Sequence, residues 1–108
     1  MNFKHINYVL TVLTEGSITA ASKKLFVSQP ALSQTIKLIE QDLGAPIFDR
    51  STDPISLTHA GQRYVEAAQA MLDIDRNLRA EIAETKKEVH GRMRVGISSQ
   101  RGIRLLPL

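Results

Sequence analysis

The chain contains no cysteine and no tryptophan. Without thiols it can hold neither a disulfide framework nor a thiolate metal site. Its three histidines, His5, His59 and His90, are scattered and lack metal-ligand spacing, so they read as structural or surface groups. No apolar run approaches the roughly 20 residues of a membrane span. Lys4 and His5 interrupt the start, and no small-residue cleavage site follows, so no secretory leader is expected. Catalytic signatures are missing too. There is no phosphate-binding glycine loop, no His-Glu-x-x-His pair and no Gly-x-Ser-x-Gly elbow. Asp73 and Asp75 fall on different faces of any helix that carries them and cannot act as a carboxylate pair. These absences exclude the common enzyme, metalloprotein and membrane classes. They favour a cytoplasmic binding protein without cofactor or metal.

Charge of one sign is also scarce where it would be most suggestive. The chain carries a net charge of +3 and a pI near 9.5. Residues 1–58 nevertheless hold five basic and five acidic side chains, and residues 59–90 hold five and six. The surplus comes from Arg92, Arg94, Arg101 and Arg104 in residues 91–108, which contain no acid. A nucleic-acid role must therefore rest on which face the charges occupy, not on their total.

What the chain does have is helical periodicity. Phe3, Ile6, Val9, Leu10 and Leu13 predict a first helix over residues 3–14, stopped by Gly16. Ser17 caps a second helix whose inner side holds Ile18, Ala21 and Leu25. Ser28 caps a third, running to Leu43, with Pro30 in its first turn, where a missing N–H is harmless. Leu32, Ile36, Ile39 and Leu43 line its buried stripe, and Gly44 with Pro46 ends it. Ile47-Phe48 and Ile55-Ser56-Leu57 predict a small β-hairpin with its turn near Thr52–Pro54. Thr58 then caps a helix reaching about Val89, broken by Gly91. Tyr64, Ala68, Met71, Asp75, Leu78, Ile82, Thr85 and Val89 alternate spacings of four and three, a heptad seam that predicts a partner helix. Met93, Val95 and Ile97 alternate as a strand, which cannot be stable alone, so the last residues read as the edge of a second domain.

The pattern predicts a mainly α fold: a winged helix-turn-helix of three helices plus a hairpin over 1–58, a long helix over 59–90 that pairs with a partner chain, and the edge of a second domain over 91–108. Gln29, Ser33, Gln34 and Lys37 fall on the solvent side of the third helix, the arrangement that places side chains in a DNA major groove. An amide such as Gln29 can pair with adenine, and Pro30 can touch a thymine methyl. Ser33 can reach a base edge or phosphate, Gln34 is the source of sequence choice, and Lys37 is a phosphate clamp. Ser17 and Thr19 open the second helix, where free amides favour a phosphate, though capping alone also explains Ser17. Glu40 sits among apolar neighbours and predicts a structural ion pair or hydrogen bond to a neighbouring element.

Gly16-Ser17-Ile18-Thr19, Val27-Ser28-Gln29-Pro30-Ala31-Leu32-Ser33, Leu57-Thr58, Ala60-Gly61 and Gly91-Arg92-Met93-Arg94-Val95-Gly96 resemble the LysR-type bacterial transcriptional regulators. The resemblance implies a homodimer paired through the linker helix and bound to a double-stranded promoter dyad, with tetramers possible in the full-length protein. It implies DNA contacts at Ser17, Thr19, Ser28, Gln29, Pro30, Ser33, Gln34, Lys37 and, on the wing, Arg50. It also implies that 59–90 is a dimerising linker helix and that 91–108 starts a truncated effector-binding domain, whose missing part holds a small-molecule effector. Three positions depart from the family pattern. Gln34 replaces a frequent basic residue, the tip Ser51-Thr52-Asp53-Pro54 lacks a second basic residue, and Ser22 replaces alanine. The rival reading is a protein-interaction module on a coiled-coil stalk, which the net-zero charge of residues 1–58 supports.

Overall fold

A computed structural model describes residues 1–92 of the protein, with side chains described as far as Lys86. The described residues form α1 (Phe3–Glu15), α2 (Ile18–Leu25), α3 (Gln29–Leu43), β1 (Phe48–Asp49), β2 (Ser56–Leu57) and α4 (His59–Arg92). The expected strand at 93–97 and the expected effector-domain edge lie outside the described residues. Contacts group the chain into a compact unit Met1–Ala70, which includes the opening turns of α4, and a second unit from Met71 onward.

Each helix of the first unit starts on a side-chain cap. Asn2 accepts a hydrogen bond from the His5 amide at 2.8 Å, Ser17 from Ala20 at 3.1 Å, and Ser28 from Ala31 at 3.2 Å. Such caps satisfy amides that have no partner within the helix. Gly16 and Gly44 end α1 and α3 in the left-handed conformation that glycine adopts freely. The end of α2 differs. Its left-handed residue is Phe26, with φ 57°, and it is the sole non-glycine residue with positive φ among the described residues. An L side chain there costs about 1–2 kcal/mol relative to glycine.

The core joins Ile6, Val9 and Val12 of α1, Ala21 of α2, and Leu32, Ile36 and Ile39 of α3 to Ile47, Phe48, Tyr64 and Ala68. Leu43, expected to close the α3 stripe, is exposed instead because α3 ends there. Ser22 is buried, and its hydroxyl donates to the Thr19 carbonyl at 2.7 Å. That bond satisfies the group that departs from the family's alanine.

β1 and β2 pair antiparallel, Phe48 opposite Leu57 and Asp49 opposite Ser56. The tip of this hairpin rests on the α1–α2 turn: the Ile55 amide donates to the Gly16 carbonyl at 2.9 Å. Thr58 links hairpin and helix. Its hydroxyl oxygen accepts from the Gly61 amide at 2.9 Å and its hydroxyl donates to the Pro46 carbonyl at 2.6 Å. Gly61 is required by a close approach, since a Cβ there would lie 2.0 Å from the Ile47 carbonyl oxygen. α4 runs to Arg92, past Gly91, where the sequence predicted a break.

Candidate nucleic-acid interface

α3 presents two faces. Leu32, Ile36 and Ile39 are buried. On the other side, Gln29, Ser33 and Lys37 are spaced four apart and form one row, and Pro30 and Gln34 form the adjacent row. Gln29, Pro30, Gln34 and Lys37 are exposed and Ser33 is half-buried. Ser28, at the cap, is also exposed. No acidic residue stands in the first turn of α3, so the positive end of its dipole is not neutralised from within the helix. The rows offer amide, hydroxyl and ammonium groups at a helix N-terminus, a set that suits base edges and phosphates.

α2 supplies a second surface. Ser17 already accepts from its capping partner through Oγ, while Thr19 is exposed. Both line an open hollow with Lys23, Lys24 and Phe26, and Glu15 shares it. The sequence reading missed Lys23, Lys24 and Phe26. The two lysines fall in the last turn of α2, where they also complement the helix dipole. The signal for Phe26 was its place: an aromatic residue stands where a helix end favours glycine or asparagine.

The wing is held to α3 by Glu40. One carboxylate oxygen accepts the Ile47 amide at 2.7 Å and the Phe48 amide at 3.4 Å. The other lies 3.8 Å from the Arg50 guanidinium. This is the structural tie predicted for Glu40. Arg50 remains 46% exposed, so its pairing is loose and worth well under about 1 kcal/mol. At the tip, Asp49 accepts from the Ser51 hydroxyl and the Ser51 amide. These two bonds, the hydroxyl's the larger, hold the Asp49 carboxyl below its ordinary pKa.

The expected partner seam divides in two. Tyr64 and Ala68 are buried within the chain's own first unit and present little surface to a partner helix. The first turns of α4 join that core: Tyr64 lies beside Ile39 and Leu43 of α3 and His5 of α1, and Gly61 lies against Ile47 and Leu57. The Tyr64 hydroxyl is buried there without a hydrogen-bond partner, and burial raises its pKa. Further along α4, Met71 and Asp75 are half-buried, and Leu78 and Ile82 are 54% and 39% exposed. Ile74, which the seam pattern passed over, is 67% exposed on the neighbouring row. Solvated ion pairs accompany the stripe: Arg76–Asp73 at 3.1 Å, and Arg79–Asp75 at 3.0 Å, the latter engaging a carboxylate of the seam itself. The side chain of Val89 lies outside the described residues.

A capped helix, a tight turn, a second helix with an exposed polar row, and a hairpin packed behind it define a winged helix-turn-helix domain. A family model described as bacterial regulatory helix-turn-helix protein, lysR family, matches residues 3–62, and the chain belongs to that family. The transcriptional regulator MetR of Haemophilus influenzae is 31% identical over 97 residues, covering 90% of this chain and 31% of that protein. Full-length LysG of Corynebacterium glutamicum, solved with bound effector Arg, aligns with a TM-score of 0.71 at 32% identity over 82% of this chain and 30% of that one. The DNA-binding domain of BenM, solved in complex with benA site 1 DNA, aligns with a TM-score of 0.67 at 31% identity, covering 84% and 99% of the two chains. The chain spans about a third of the length of MetR and of two further curated relatives, the regulators ClcR and BsdA. Those relatives are transcriptional regulators, not enzymes.

Proposed function

We propose that the chain is the DNA-reading part of a cytoplasmic LysR-type transcriptional regulator that grips a promoter dyad as a homodimer. The observation that carries this reading is the polar row Gln29, Ser33 and Lys37, exposed at Gln29 and Lys37, with exposed Pro30 and Gln34 beside it, on a capped helix N-terminus. α3 enters the major groove, with Gln29 and Gln34 on base edges and Lys37 on phosphate. Ser28 brings the free amides of α3 to the backbone, Ser17 and Thr19 do the same at α2, and Arg50 follows the flanking strand from the wing. Two copies pair along α4 through Met71, Asp75, Leu78 and Ile82. Their two-fold axis sets half-sites about one turn, roughly 34 Å, or a multiple of it apart. Response to a small molecule, and any tetramer, belongs to regions that the longer relatives carry beyond the matched length. Among the described residues no helix is long and apolar enough to cross a membrane.

Selection of bound duplexes from a random DNA pool, at two salt concentrations, tests the proposal. It predicts a recovered two-fold dyad and a steep fall of affinity with salt, since phosphate neutralisation releases counterions. A folded chain that enriches no duplex, or binds with little salt response, would favour the protein-interaction reading.

A further inference from the structure

Phe26 joins two features that work against the fold. It is the sole non-glycine residue in the left-handed region among the described residues, with φ 57° and ψ 40°, and the residue is 94% exposed. Asparagine or glycine would suit that backbone better and would leave no ring in water. Residues that oppose local folding preference commonly belong to a site that binds something. The surroundings indicate what. Phe26 lines the same hollow as Ser17, Thr19, Lys23 and Lys24, hydroxyl and ammonium groups suited to phosphates, with Glu15 the one acid among them. It also stands two residues before Ser28, the cap of α3. The ring therefore sits between a phosphate-seeking surface and the start of the base-reading row.

We propose that Phe26 is a further recognition residue, packing on a thymine methyl at the wall of the major groove. Of the groups that base edges present in that groove, the thymine methyl is the apolar one, and apolar side chains read it by contact. This inference rests on the DNA reading given above. The left-handed turn is what carries the ring out from the helix pair toward the duplex. The strain of the turn and the exposure of the ring are offset only when DNA covers it.

The test compares the parent chain with Phe26→Asn on the duplex that the parent enriches from a random pool. Phe26→Asn should melt at a higher temperature and yet bind roughly fivefold to tenfold more weakly, a fraction of what burying a full Phe side chain contributes. It should also lose a preference for thymine at one position of each half-site. Deoxyuridine at that position deletes the methyl alone. It should weaken the parent to the level of the variant and leave the variant unchanged. Phe26→Gly should repeat the pattern. Variants that melt higher, bind as tightly as the parent and keep the same base preferences would overturn the contact and leave the ring to a protein partner. A parent that enriches no duplex would instead overturn the DNA reading, and this contact with it.

Discussion

The unit Met1–Ala70 and the stretch of α4 beyond it share a helical apolar rhythm and use it differently. In the first unit the rhythm closes on itself: Ile6, Val9, Val12, Leu32, Ile36, Ile39, Tyr64 and Ala68 are all buried. Beyond Ala70 the same spacing leaves Ile74, Leu78 and Ile82 between 39% and 67% exposed. Periodicity specifies which face is apolar. It does not specify what covers that face. Helices in water draw most of their stability from such cover, so an uncovered stripe on a long helix invites a partner.

The largest expected effect breaks the second region and spares the first. Leu78→Asp with Ile82→Asp should give a monomer by sedimentation and sharply weaken dyad binding, because the two half-site contacts are no longer linked. Thermal melting of the residues 1–70 core should stay close to the parent. A dimer that survives the double change would remove α4 from the pairing role.

The next effect does the reverse. Glu40→Ala leaves the Ile47 and Phe48 amides without their carboxylate, at a cost of about 1–3 kcal/mol. Chemical denaturation should show that loss while sedimentation still reports dimer. Glu40→Gln keeps an acceptor oxygen and gives up only the loose Arg50 pair, so it should recover most of the stability. Equal losses for both variants would show that the charge matters more than the amide bonds.

The smallest effect sharpens the boundary between the regions. Tyr64→Phe removes a buried hydroxyl that has no partner. Stability should be unchanged or higher by up to about 1 kcal/mol, with dimerisation untouched. A weakened dimer would return Tyr64 to the partner seam where the heptad pattern placed it.

Most of the fold was legible in the sequence because local signals agreed with one another. Ser17 and Ser28 cap the helices as predicted, Thr58 opens α4, and the hairpin turns around Thr52–Pro54. The polar rows of α3 were legible for the same reason, since a buried stripe at 32, 36 and 39 forces their direction. What the pattern could not reveal was tertiary. A heptad count does not distinguish a seam that faces its own domain from one that faces a second copy, so Tyr64 and Ala68 were placed with a partner. It also could not show that Phe26 would take a left-handed backbone, because propensity disfavours it there. The same blindness hid Ile74, one position off the strict repeat.

Whether α3 reads bases is decided by comparing two side chains of its polar row. Parent, Gln29→Ala and Lys37→Ala should be titrated against the enriched duplex and against every single-base variant of it. With α3 in the groove, Gln29→Ala loses about 1–3 kcal/mol and relaxes preference at one position, whereas Lys37→Ala weakens all duplexes alike and lowers the salt slope by about one. Gln29→Ala binding as tightly as the parent, with every base preference intact, would contradict it.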